Sequence, residues 1–340
     1  MLETRYFSLH SQSLRVESED QGLLQAVETL LDGFFRVAHH PSLNADKGAF
    51  VLRGRTVEYA GQLPDIEEQS YPKTFSATPE GGVPMRLLVR PTGQRVNLLE
   101  DVAVTRYDLR QQTAEAVVVR GKWGIWGFQS LIPLLSELLA GSGMYLLHTG
   151  ANVLPGGRHG VMFFGASGAG KTTSVLALAR QGWPLICDDA GFLSKTDGCF
   201  QLWGLPRASK VHEKTFELLP ELRHLPSRKL PNSDEWRVRF RDLPGADPRV
   251  RYPIRALFLL QPRSAGEHRL QPLSGLAVLP RLLQGNLRVI EPLAEGPGGA
   301  MFQTLAELCK STPCFGLSVG PDLADLPEVI QSVLEGEVLV

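Results

Sequence analysis

The chain has 340 residues, 43% of them hydrophobic and 21% charged, so it can bury a sizeable core and has the length of two domains. Lys plus Arg number 35 and Asp plus Glu 36, a net charge of −1 that argues against a nucleic-acid or anionic-membrane partner. The four cysteines, Cys187, Cys199, Cys309 and Cys314, lack metal-ligand spacing, the start Met1-Leu-Glu-Thr-Arg-Tyr6 is polar, and no apolar run is long enough for a membrane span; together these indicate reduced thiols in a cytoplasmic protein.

Residues 1–120 carry no recognisable catalytic motif and are expected to form a small α+β domain of unstated role. Tyr6 to Val16 alternates loosely, like strand material. Gln21 to Val37 has the period of a helix, with Leu23, Leu24, Val27, Leu30, Leu31 and Phe34 on one side. His39-His40-Pro41 ends it; no third ligand accompanies the two histidines, which favours a solvated helix end over a metal site. Ala49 to Ala60 and Met85 to Arg90 read as strands, separated by a polar loop over 61–84. Val102 to Tyr107 and Ala114 to Val119 make a hairpin.

The second domain is expected over 121–340. Trp123-Gly-Ile-Trp126 turns into a helix from Gln129 to Leu139, ended by Gly141-Ser-Gly143. The tryptophans suit packing at the domain junction better than a stacking platform. Met144 to His148 and Val161 to Phe164 are apolar strands.

After Phe164 the chain reads Gly165, Ala166, Ser167, Gly168, Ala169, Gly170, Lys171, Thr172, which satisfies the phosphate-loop pattern G-x-x-x-x-G-K-[ST]. The glycines let the backbone wrap closely with its N–H groups aimed at an anion. Lys171 adds a point charge for β- and γ-phosphates, and the Thr172 hydroxyl suits a Mg²⁺ shell. Thr172 to Arg180 reads as a helix whose positive end faces the same anion, with Thr173 in its first turn. ATP and Mg²⁺ are therefore the expected ligands.

Leu185 to Cys187 is another apolar strand. It ends in Asp188-Asp189, only 17 and 18 residues after Lys171. Adjacent carboxylates repel unless a cation lies between them or one is protonated, so a metal on one and a substrate hydroxyl on the other is one reading. A turn or cap is the other. Beyond them, Gly191 to Leu193 and Cys199 to Trp203 flank a Thr196-Asp-Gly198 turn. Ser209 to Leu218 reads as a helix, and 220–236 as a polar lid or a solvated connection. Arg237-Val-Arg-Phe-Arg-Asp242, with Arg249 and Arg251, is locally basic and suits a strand face better than an anion site, although near ATP it could bind an acidic substrate. Strands follow at Val238 to Phe240, Ile254 to Leu260 and Phe315 to Val319, and helices at Leu276 to Leu283, Ala300 to Lys310 and Leu323 to Leu334.

The run from Val161 to Leu193, VMFFGASGAGKTTSVLALARQGWPLICDDAGFL, resembles the core of the HPr kinase/phosphorylase family, which is related in fold to phosphoenolpyruvate carboxykinase. His148 lies 23 residues before Lys171, much as a histidine of that family does, and Gly204-Leu-Pro-Arg-Ala-Ser-Lys210 resembles its Pro-Arg segment. The resemblance spans roughly residues 125–285. It implies an α/β P-loop kinase domain in which Asp188 is the base for the attacking hydroxyl, Asp189 joins Thr172 at the metal, His148 contacts Asp188, and Arg207 reaches phosphate. The long glycine- and arginine-containing signature by which true HPr kinases engage their protein substrate does not follow the acidic pair. The implied acceptor is then a serine of another peptide or protein, for instance a natural-product precursor peptide, ahead of a small-molecule hydroxyl. A nucleotide-sensing protein without phosphotransfer is the competing reading. Oligomeric state is not legible.

Overall fold

The structure, a computed structural model, describes residues 1–9, 12–31, 36–38, 49–79, 82–204, 209–229, 234–238, 242–245, 247, 250–286 and 297–336. The chain divides into two compact units, Met1–Ser142 and Gly143–Val340, and both mix helices with strands. Among the described residues no helix is long and apolar enough to cross a membrane.

The first unit is built on a sheet with nine strands among the described residues. A hairpin of β1 (Glu3–Leu9) and β2 (Gln12–Ser18) opens it, where the sequence suggests one loose strand. The Asp20 carboxylate accepts the Leu23 amide at 2.9 Å and so starts α1 (Gln21–Leu31). Leu23, Leu24, Val27 and Leu31 form its buried stripe. Arg36–Ala38 is strand β3 beside β1, so the helix expected over 21–37 stops short; His39 and His40 lie outside the described residues. β4 (Phe50–Val57) runs parallel to β2, and its Gly54 makes room for α1: a Cβ there would stand 2.9 Å from a Leu23 methyl.

The remaining strands are β5 (Lys73–Ala77), β6 (Met85–Val89), β7 (Gln94–Leu99), β8 (Ala103–Asp108) and β9 (Thr113–Val119), a meander whose last member lies parallel to β4. β8 and β9 form the expected hairpin. β5 falls inside the expected loop 61–84, an exposed edge strand with little apolar pattern to announce it.

Helix α2 (Trp123–Trp126) continues through a π-type turn (Gly127–Leu131) into α3 (Ile132–Ala140). Trp126 is 1% exposed and its indole donates to Thr105 Oγ1 at 3.0 Å. Gln129 exchanges two 2.9 Å hydrogen bonds with the backbone of Val83, as a neighbouring strand would. These bonds assign the helix to the first unit, so the division falls at Ser142/Gly143 and not at the expected 120/121. Both tryptophans pack: the Trp123 ring occupies the space where a Cβ of Gly22 would be.

Nine strands of the second unit, among the described residues, form one continuous sheet. In chain order the elements are β10 (Met144–Leu147), β11 (Gly150–Val153), β12 (Gly160–Phe164), α4 (Lys171–Arg180) and β13 (Leu185–Cys187). Then come the hairpin β14 (Gly191–Thr196) and β15 (Cys199–Gly204), β16 (Ser209–His212), α5 (Glu213–Leu218), β17 (Ser227–Lys229) and β18 (Glu235–Val238). β19 (Tyr252–Leu260), β20 (Arg269–Leu273), α6 (Gly275–Asn286), α7 (Pro297–Ser311), β21 (Cys314–Ser318) and α8 (Leu326–Gly336) complete it. The helix expected from Ser209 begins as strand β16 and is helical only from Glu213.

β12, β19 and β21 lie side by side and parallel, and β11 runs antiparallel between β12 and β13. The first residues of β19 splay away to pair with β15, which brings β14 and β10 along. Period-two alternation divides the β12 side chains between two cores. Val161 and Phe163 face α4, α5 and α8, while Met162 and Phe164 face α6 and α7. Phe163, Phe258 and Phe315 stand in register on three neighbouring strands, with ring centroids 5.3 and 5.5 Å apart. Each such buried ring contributes about 1.5–3 kcal/mol by removal from water, plus the gain from offset stacking.

β16, β18 and β17 form a separate three-stranded antiparallel sheet. Its inward residues Val211 and Val238 join the core around α4.

Candidate active site

The sheet topology alone brings the candidate residues together. β12 and β13 point the same way, and β11 between them points back. The end of β12, the end of β13 and the start of β11 therefore share one edge. The end of β12 opens into the glycine-rich loop 165–170, the end of β13 into Asp188-Asp189, and His148-Thr149 immediately precedes β11. Ligands of parallel sheets gather at such carboxyl edges.

The loop needs its glycines. Gly168 and Gly170 have φ of +77° and +94°, in the left-handed region, and Gly170 is the residue from which α4 starts. Gly165, Ala166 and Ser167 lead into that turn, where the Ala169 amide donates to the Ala166 carbonyl at 3.2 Å. The first amides of α4 and its dipole make this end suited to an anion. Lys171 is 8% exposed, and its ammonium donates to the carbonyls of Gly165 at 3.0 Å and Ala166 at 3.3 Å. Burial lowers its pKa, against the pull of Asp189 and Asp188, which favour the charged form.

Asp188 is 2% exposed. Its Oδ1 accepts the Thr172 hydroxyl at 3.0 Å, which joins the loop's helix to the acidic pair. Oδ2 is buried without a hydrogen-bond partner. The carboxyl pKa is pushed up to about 6, first by burial and then by the charge of Asp189; the Thr172 and Ser209 hydroxyls and His148 pull the other way. The Ser209 hydroxyl lies near enough to have that influence but does not meet hydrogen-bond geometry and is itself buried unpaired.

Asp189 adopts φ +76°, a left-handed conformation that asparagine and aspartate tolerate best after glycine. His148 Nδ1 stands 2.8 Å from its Oδ1 and 3.0 Å from its carbonyl oxygen. Both are acceptors toward an N–H, so Nδ1 carries the hydrogen. The His148 amide in turn donates to Asn286 Oδ1 at the end of α6. The side chains of His148 and Asp189 are 40% and 32% exposed, in contrast to Asp188.

The pairings differ from those the resemblance implies. Thr172 meets Asp188, not Asp189, and His148 meets Asp189, not Asp188. The pair lies in the bend after β13, and the left-handed turn at Asp189 swings its side chain away from the loop and toward His148. Thr173, expected at the phosphates, has its hydroxyl 2.9 Å from that of Thr215 on α5. Arg207 lies outside the described residues.

Three supporting residues had no role in the sequence reading. Thr149 donates to the Phe163 carbonyl at 2.8 Å and pins the start of β11 to β12. Asn152 is fully buried and donates to the carbonyls of Val175 and Trp183, both at 3.0 Å, tying α4 and its exit to the sheet. Ser209 lies in the stretch that resembles the Pro-Arg segment, but nothing in its sequence neighbours signals proximity to Asp188.

The donor set is hard oxygen: a threonine hydroxyl, a buried carboxylate with one oxygen unpaired, and a second carboxylate beside it. That fits Mg²⁺, which takes few protein ligands and keeps waters and substrate phosphates for the rest. Among the described residues no group of three or more His, Cys, Asp or Glu side chains could hold a metal ion by itself. Compared with known proteins, the chain matches no family model and no curated protein.

Proposed function

We propose that the second unit is an α/β P-loop domain of the HPr-kinase-like kind and transfers the γ-phosphoryl group of ATP to a hydroxyl, a serine of a peptide or protein. One observation carries the reading: the loop's Thr172 hydroxyl lies on Asp188, 3.0 Å away, with Lys171 in the same loop. A glycine-rich turn without a ligand has no use for a buried ammonium at a helix start facing two carboxylates.

In this reading the loop amides and Lys171 hold the β- and γ-phosphates, and Lys171 exchanges its loop carbonyls for phosphate oxygens. Thr172 and Asp188 hold Mg²⁺, which, when bound, neutralises charge on the leaving group. Asp189 orients the acceptor hydroxyl and takes its proton, and His148 fixes Asp189 through Nδ1. This exchanges the two aspartates' roles relative to the resemblance. Exposure supports the exchange: an acceptor arriving from solvent reaches the partly open Asp189–His148 pair, while Asp188 is sealed beneath Thr172. Positioning and fixed charge supply most of the rate in such transfers.

Radiolabelled γ-phosphate transfer from MgATP to the peptides and proteins encoded beside this gene tests the reading. The wild type should label one acceptor. Asp189→Asn should bind MgATP normally and transfer at least about a hundredfold more slowly, the usual worth of a positioned base. Asp188→Asn should lose affinity for MgATP as well as rate. Normal binding with lost transfer in Asp188→Asn alone would restore the original assignment. Tight ATP binding by the wild type with no transfer to any candidate would favour the nucleotide sensor.

A further inference from the structure

We propose that the outer face of the small sheet β16–β18–β17 docks an acidic stretch of the acceptor chain; the proposal rests on the peptide-kinase reading above. The register of the sheet places three cations in one cross-strand row. Lys210 pairs directly with Arg237, and Arg237 directly with Arg228. Opposed residues of antiparallel strands have Cβ atoms about 5 Å apart, well within a Debye length, and like charges in that relation destabilise the pair.

Alternation puts all three on the outer face. Their neighbours Val211 and Val238 turn inward to the α4 core, and Trp236 packs against it. Arg237 and Arg228 are exposed, and Lys210 is partly so. The acids nearby lie toward β16: Glu235 is 3.7 Å from Lys210 and 3.6 Å from His212, and Asp234 is 3.3 Å from His212. Arg237 has contacts of its own within the chain. Arg228, at the far end of the row, has no ion pair among the described residues. A sheet whose strands are three or four residues long has little stability to set against such repulsion. Carboxylates laid along the row relieve it.

The row is attached to the site. Ser209, the residue before Lys210, lies buried beside Asp188, and Thr215 of the following helix bonds Thr173 of α4. An acidic segment held by Lys210, Arg237 and Arg228 thus lies on the outer face of a sheet whose inner face reaches Asp188 through Ser209, and its charge selects and positions the serine that follows or precedes it. Electrostatic docking of this kind sets specificity and encounter rate.

The test uses the full-length protein and two fluorescein-labelled peptides of equal length, one of alternating Glu and Ser, the other of alternating Gln and Ser. Anisotropy should show the Glu peptide binding at least about tenfold tighter, with an affinity that falls steeply with salt. Arg228→Glu should weaken that binding about tenfold or more, and Arg228→Gln by a smaller factor. MgATP affinity, measured on the same samples, should be unchanged in both variants. Equal binding of the two peptides, or an Arg228→Glu variant that holds the Glu peptide as well as the wild type, overturns the proposal. Failure of the wild type to bind MgATP would instead sink the phosphotransfer reading, and the anisotropy would still decide the docking face by itself.

Discussion

Asp188 shows how a site residue can oppose the fold that holds it. Its folded pKa of about 6 exceeds the reference of 3.8 because burial disfavours the charged form. Between those two values the native protein binds more protons than the unfolded chain, so stability falls as pH rises through that window and the loss is complete above it. The shift corresponds to about 3 kcal/mol at pH 7. Asp188→Asn keeps an oxygen for Thr172 and removes the ionisation. Ligand-free Asp188→Asn should therefore be more stable than wild type at pH 7, by about 1–3 kcal/mol in urea denaturation, and the advantage should shrink toward pH 4. A variant less stable than wild type at pH 7 would refute the assigned origin of the shift. Adding MgATP should stabilise wild type more than the variant. At this scale the closeness of the loop to the acidic pair was legible, since each follows an apolar strand of the same domain, and Thr172 does meet Asp188. Which aspartate meets which partner was not, because neighbouring side chains diverge and no single-sequence feature fixes the direction.

Among the elements, β11 does the most with the fewest residues. Gly150–Val153 has no alternation to mark it, and its existence follows from the partners on both sides. Its Asn152 bonds one carbonyl inside α4 and another beyond the helix's end. Asn152→Ala should destabilise the protein by about 2–4 kcal/mol, from two lost hydrogen bonds and the buried carbonyls they leave. Nucleotide affinity should fall with it, because α4 carries the loop. A loss below about 0.5 kcal/mol would show that the link is dispensable. Long apolar strands and helices, such as β12, β19 and α7, lay within a few residues of where the sequence places them. Short pieces were missed or misread: Ser209–His212 has helix formers on its C-terminal side and becomes a strand only through pairing with β18.

For the whole molecule, length alone suggested two domains, and the chain does form two compact units. The boundary was hidden because the helix from Trp123 to Ala140 is claimed by distant residues: Thr105 for Trp126, Val83 for Gln129, and Arg95 and Tyr107 for Glu137. A chain beginning at Gly143 should therefore fold alone, with one cooperative unfolding transition and a monodisperse profile in size-exclusion chromatography. One beginning at residue 121 would expose Trp126, Leu131, Leu134 and Leu135, which the intact protein buries, and should aggregate. Equal behaviour of the two would overturn the division at Ser142.

The three stacked phenylalanines have a consequence for how the protein is made. Phe163 lies one residue before the strand gives way to the glycine-rich loop, yet its neighbours Phe258 and Phe315 belong to much later parts of the chain. On a ribosome the loop and its helix emerge long before the strands that brace them. Parallel strands cannot pair until their crossovers are complete. The nascent second unit thus remains without its central brace until Cys314–Ser318 has cleared the exit tunnel, an interval in which its apolar strands are open to chaperones and to one another.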